Sequence, residues 1–177
     1  DGVSLLSMAC QKGHSEVVRL LIAANATIDL CDNDGVSPLS MACQKGHSEV
    51  VGLLIAAKAT IDLCDNDGGS PLFVACENGH SEVVGLLIAA KATIDLCDND
   101  GGSPLFVACL DGHSEVVRLL IAAKATIDLC RNTGASPLFV ACQVAHSEVV
   151  GLLIAAKATI DLCDNDGVSP LFMACHK

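Results

Sequence analysis

Hydrophobic and polar positions along this chain recur every 33 residues, almost letter for letter. One period, Asp34 to Asn66, reads DGVSPLSMACQKGHSEVVGLLIAAKATIDLCDN, and near copies fill 1–33, 67–99, 100–132 and 133–165, with a partial copy over 166–177. Within the 34–66 period, Ser37-Pro38 is a helix start: a hydroxyl caps free N–H groups, and the Pro ring sits where its missing N–H costs nothing. Leu39, Ala42 and Cys43 then share one face of a two-turn helix, which Gly46 ends in a left-handed turn. A second helix is predicted from about Ser48 to Ala57, with Val50, Leu53, Leu54 and Ala57 as its apolar stripe. Glu49 in its first turn and Lys58 just past its end both complement the helix dipole. Ala59 to Asp65 alternates as an extended run, with Ile61 and Leu63 on one side. Asn66-Asp67-Gly68 is a hairpin-type turn.

Each unit therefore reads as turn, helix, helix, extended finger. Neither helix is long enough to persist alone. A strict period of this length predicts an all-α solenoid in which each unit packs only on its neighbours, the whole of 1–177 forming one array. Each large aliphatic side chain buried between units is worth about 1.5–3 kcal/mol. Such a stack offers long repeated surfaces and few deep pockets, which suits binding better than catalysis.

The resemblance that these residues carry is to the ankyrin repeat. The pattern D-G-x-S-P-L-x-x-A-C-x-x-G-H-S-E-V-V-x-L-L-I-A-A is similar to that family's unit over the whole chain, with Ser70 to Phe73 standing in place of Thr-Pro-Leu-His and Gly79-His80 at the helix corner. The resemblance implies helix-turn-helix units joined by hairpin-like fingers. It also implies a concave face, made of finger tips and first helices, that grips partners. This chain departs from the family at three places. The His after Pro-Leu is replaced by Ser7, Ser40, Phe73, Phe106, Phe139 and Phe172, so its local hydrogen bonding is expected to be lost. The Gly after the second helix is replaced by Asn25, Lys58, Lys91, Lys124 and Lys157, at about 1 kcal/mol each if the backbone there stays left-handed. The finger Asn is replaced by Asp29, Asp62, Asp95, Asp128 and Asp161, which accept hydrogen bonds but donate none.

Composition narrows the function. Half the residues are hydrophobic, with no Trp or Tyr and four Phe, so the buried layers are aliphatic. The formal net charge of −11 argues against nucleic acid and anionic membranes as partners. The apolar stretches are too short to span a bilayer. Eleven Cys follow the repeat, at Cys10 and Cys31 and their equivalents. Equivalent residues in stacked units should lie about 8–10 Å apart. A disulfide needs Cα atoms closer than about 7 Å. Free thiols favour a reducing, intracellular setting, with the cytoplasm expected. The chain starts without Met and in register with the repeat, as an excised segment would, and its near-identical units fit either recent duplication or a consensus-engineered array.

Candidate chemistry dissolves into scaffold. Cys43 and His47 stand four apart, as do their equivalents, but zinc requires four converging ligands and no Cys-x-x-Cys occurs. An identical Cys–His pair in five units, with no third group to orient the base, is not a nucleophilic site. In ankyrin-like units this Cys fills a core position and this His bonds to backbone near the corner. Asp65-Asn66-Asp67-Gly68 would place Leu63 and Val74 at essential calcium-ligand positions. No enzyme activity, cofactor or metal is therefore expected. The Phe row reads either as an exposed aromatic ladder or, preferably, as packing between first helix and finger.

Differences between copies mark the surface that has diverged. They concentrate in the fourth and fifth units, where Leu110, Asp111, Arg131, Thr133, Ala135, Gln143 and Val144 are expected to gather into one mixed patch for a protein partner. The rival reading is a structural or self-assembling segment. The first unit keeps an apolar outer face and the last fragment lacks a second helix, so copies could join end to end.

Overall fold

The computed structural model describes residues 2–175 and is all helical over that span. First helices are α1 (Leu5–Gln11), α3 (Pro38–Gln44), α5 (Pro71–Glu77), α7 (Pro104–Leu110), α9 (Pro137–Gln143) and α11 (Pro170–Cys175). Second helices are α2 (Ser15–Ala23), α4 (Ser48–Ala56), α6 (Ser81–Ala89), α8 (Ser114–Ala122) and α10 (Ser147–Ala155). Substantial contacts join each helix to its partner within a unit and to its equivalents in adjacent units, so the first helices form one layer and the second helices another. The architecture is a helical solenoid.

The caps follow from the sequence. The hydroxyl of Ser37 accepts the N–H of Ser40, and Ser4, Ser70, Ser103 and Ser136 do the same in their units. The local bond at the Ser7 and Ser40 positions is not lost after all. Ser4 and Ser7 hydroxyls lie 2.8 Å apart and that of Ser37 donates to Ser40 at 3.2 Å. Only the Phe-bearing units give up the side-chain part of this bond, because a ring has no donor or acceptor to offer.

The chain ends reveal how the valines divide the work. Val50, Val83, Val116 and Val149 are buried, whereas Val17, with no preceding unit, is 44% exposed. Val18, Val51, Val84 and Val117 are also buried, while Val150, next to the partial copy that begins at 166, is only partly so. The first Val of each second helix thus faces the preceding unit and the second faces the following one. The buried stripe is wider than a one-sided pattern predicts: Val50, Val51 and Leu54 are buried and Leu53 and Ala57 half-buried. A helix clamped from both sides along the stack needs an apolar face in each direction.

The seams are also hydrogen-bonded. His47 Nε2 lies 3.1 Å from the carbonyl of Gln11, one unit back, and His80, His113 and His146 repeat this at 2.9–3.2 Å. The corner glycine makes room for that ring: a Cβ at Gly46 would sit 2.6 Å from His80 Nδ1, and φ there is +73°. Asp29 spans the same seam as His47, taking the Thr60 N–H at 3.1 Å and its hydroxyl at 2.6 Å, and Asp62, Asp95 and Asp128 take Thr93, Thr126 and Thr159 likewise. A third ladder runs through the turns, where Asn66 Nδ2 donates to the Asn33 carbonyl and Asn99, Asn132 and Asn165 follow.

The finger corrects one expectation. Ala59 to Asp65 is not a continuous extended run, and no strand occurs among the described residues. A turn at Ile61-Asp62 interrupts it, and in the following units Leu96 N–H closes on Thr93 and Leu129 N–H on Thr126. With no neighbouring strand to pair, extended N–H groups would lack partners. The turn and the Asp carboxylates supply them instead. The tip itself is hairpin-like. Asp65 N–H bonds to the Gly69 carbonyl, Gly68 N–H bonds to the Asp65 carbonyl, and Gly68 has φ +83°. Asp65 Oδ1 stiffens the loop by accepting the N–H groups of Asp67 and Gly69.

The left-handed site after each second helix persists despite its side chains, with φ of 60–69° at Asn25, Lys58, Lys91, Lys124 and Lys157. Conversely, Gly52, Gly85 and Gly151 sit inside α4, α6 and α10, and a Cβ added at any of them would meet nothing within 4 Å. Replacing these three glycines by Ala should raise unfolding free energy by about 0.5–1 kcal/mol each, read as a shifted denaturation midpoint with an unchanged spectrum.

All eleven cysteines are free thiols. Cys10, Cys43, Cys76 and Cys109 are fully buried, and burial pushes the Cys10 thiol up to about 12 and the other three higher still. In the native chain a thiol-titrating disulfide reagent should modify exposed Cys163 and Cys175 first. The four buried thiols should react only at the rate of unfolding, as residue-resolved mass spectrometry would show.

Candidate partner-binding groove

First helices and finger tips together line one side of the stack. Ser103 caps α7, Pro104 opens it, and this start carries Phe106 toward the fingers, where Phe106 and Phe139 are 5% and 6% exposed. Phe73 is half-buried and Phe172, at the open end, is 49% exposed. The Phe row is therefore packed within the array, most tightly at Phe106 and Phe139 and most exposed at its last member.

Three concavities lie along this face. The largest, about 380 Å³, is lined by Asp65, Asp67, Phe73, Val74, Glu77, Asp98 and Asp100. The next, about 140 Å³, shares Phe73, Glu77 and Asp98 with it and adds Phe106, Val107, Leu110 and Arg131. The third, about 250 Å³, shares Phe106, Leu110 and Arg131 and continues through Thr133, Ala135, Phe139, Val140, Gln143 and Asp164. Shared walls make these one groove.

Arg131 divides it. The equivalent residues Asp32, Asp65, Asp98 and Asp164 each use a carboxylate oxygen to hold their own turn. Arg131 cannot, and its loop keeps only the backbone bonds to Gly134 and Ala135. The side chain turns back instead to donate to Asp100, with its guanidinium carbon 5.8 Å from the Phe106 ring centroid. A cation over a ring at a partly exposed site contributes about 0.5–1 kcal/mol.

The groove brings together Leu110, Arg131, Thr133, Ala135 and Gln143 of the patch expected from sequence. Asp111 and Val144 lie outside it, as the C-cap residues of α7 and α9. A cap residue starts the corner toward the second helix and so leaves the inner face. Sequence reasoning missed the Phe106–Phe139–Val140 floor, because those residues repeat between units and divergence was the criterion. An acidic stretch, made of the repeated finger Asp residues and Glu77, lies in front of α5 beside this floor. Glu77 signalled that stretch, standing where other units carry Gln11, Gln44, Leu110 or Gln143. Lost hydration, then the charges of Asp111, Asp65 and Asp98, hold the Glu77 carboxyl above its ordinary value.

The Cys–His pairs lie elsewhere. Their sulfurs are buried in the first four units, and from the second unit onward each corner ring points at the neighbouring carbonyl. Among the described residues no group of three or more His, Cys, Asp or Glu converges as a metal cage would. The groove can therefore offer apolar contact, hydrogen-bond partners and fixed charge.

Family models match most of the chain. The model described as ankyrin repeats in three copies covers residues 1–63 and 42–132, and the single ankyrin repeat model covers 133–165. No curated protein sequence matches it. The 33-residue period, the capped helix pairs and these matches agree, and the chain belongs to the ankyrin repeat family.

Proposed function

We propose that the chain, read as one array, is a non-enzymatic scaffold whose concave groove recognises a protein partner. The observation that carries this reading is the continuous groove in front of α5, α7 and α9, floored by Phe side chains and rimmed by repeated finger Asp residues together with residues that differ between units, Glu77, Leu110, Arg131, Thr133 and Gln143. Its openness along the stack suits an extended or convex protein surface, and recognition of protein partners is what ankyrin repeats are built for. Among the described residues no helix is long and apolar enough to cross a membrane. Eleven unpaired thiols fit a reducing interior such as the cytoplasm.

The test compares two faces. Leu110→Ala with Gln143→Ala thins the groove wall, whereas Gly52→Arg with Gly85→Arg decorates second helices where there is open space. Partners captured from extract by the native chain should stay with the second variant. The first should lose them about 30-fold, the scale of one interface hot spot. Equal capture by both variants, with helical content intact, would overturn the groove.

A second reading has its own support. Leu5, Leu20, Leu171 and Phe172 are 49–69% exposed at the two ends of the array, where interior units bury the equivalents of Leu171 and half-bury those of Leu20. If those ends stack copy on copy, light scattering of the 177-residue chain should show mass rising with concentration. A constant monomer mass removes that alternative.

A further inference from the structure

The groove is not neutral along its length. In front of α5 the Phe73–Val74 floor is flanked by Asp65, Asp67, Glu77, Asp98 and Asp100. Among the described residues only Asp100 of these five has a cation within ion-pair distance, namely Arg131. The remaining carboxylates line an apolar floor, and the Glu77 carboxyl is raised by lost hydration, then by Asp111 at the end of α7, and then by Asp65 and Asp98 in the groove. A purely apolar partner laid here would strip water from carboxylates that have no cation beside them, without compensating them. An acidic one would add repulsion. A cation would be attracted, and an apolar side chain beside it would cover Phe73 and Val74.

We infer that the groove receives an extended protein segment carrying Lys or Arg beside a large apolar residue, its cations along the Asp65–Asp100 rim and its apolar side chain on the Phe73–Leu110 floor. This rests on the reading of the concave face as the binding surface. Arg131 sets where the cations stop. Beyond it the rim carries Thr133, Gln143 and a single carboxylate, Asp164, against the five before it, so the basic part of the segment lies over the second to fourth units.

The experiment exposes the full chain to a random library of displayed peptides and compares the charge of the retained pool with that of the input. Retained peptides should be enriched in Lys or Arg together with an apolar residue. One of them, labelled, then serves as the probe. Combining Asp67→Asn, Glu77→Gln and Asp98→Asn removes charge, and the amide oxygen introduced at position 98 can still accept the Gly102 N–H that holds the turn. The probe should bind this variant about tenfold more weakly, the sum expected of a few rim charges, and the difference should shrink in high salt. Arg131→Asp, which restores the residue of other copies, should tighten the probe several-fold. An empty or uncharged pool, or an affinity that ignores the three neutralised carboxylates, overturns the inference. If uncharged peptides bind and Leu110→Ala with Gln143→Ala releases them, the groove stands and only its charge preference falls. If that pair releases nothing either, both readings fall.

Discussion

Each of the five full units contributes one helix of seven residues and one of nine, lengths that do not hold their shape in water, so order must come from the seams between units. At every interior seam a Val from each side, a layer of Leu and a buried thiol exclude water. The polar groups at the edges are matched rather than left over. The corner His takes a carbonyl, the finger Asp takes a Thr, and the turn Asn takes the preceding Asn. No buried side-chain nitrogen or oxygen among the described residues lacks a partner. Apolar burial supplies the driving force, and the three polar ladders fix the register at which it occurs.

The groove inherits its form from that register. Because first helices stack at a fixed offset, the Phe of a unit lies beside the finger that closes the same unit, and a single finger substitution reaches across. Arg131 shows this: giving up the local turn bond of an Asp frees its side chain to engage Asp100 and Phe106 near the start of its own unit, across the groove. A repeated scaffold thus acquires a unique feature through one changed residue, while every seam stays the same.

Much of the fold was legible because cap chemistry is local. Ser37-Pro38 and Gly46 fix the first helix within its own few residues, and the second helix ends one residue earlier than its pattern suggests. What sequence hid was contact at a distance. The finger departs from an extended run because Asp62 is held by Thr93, a residue 31 positions on, which no short window can see. Val51 counts as buried only once a following unit is placed on it. Of the residues that divergence marks, Leu110, Arg131, Thr133, Ala135 and Gln143 line the groove, while Asp111 and Val144 stand at helix caps outside its lining. Divergence passed over Phe106 and Phe139, which repetition disguised as scaffold.

The sameness of the seams has a consequence for how the chain reaches this state. A docking face that fits its neighbour fits every other copy nearly as well, so local affinity does not tell one unit which of the others to meet. Only the short covalent link, a finger tip of a few residues, makes the adjacent unit the nearest candidate. At high concentration a unit from another molecule competes on almost equal terms, and entanglement between chains becomes the characteristic error of assembly. Divergent repeats carry protection against that error in their differences; this chain relies on proximity.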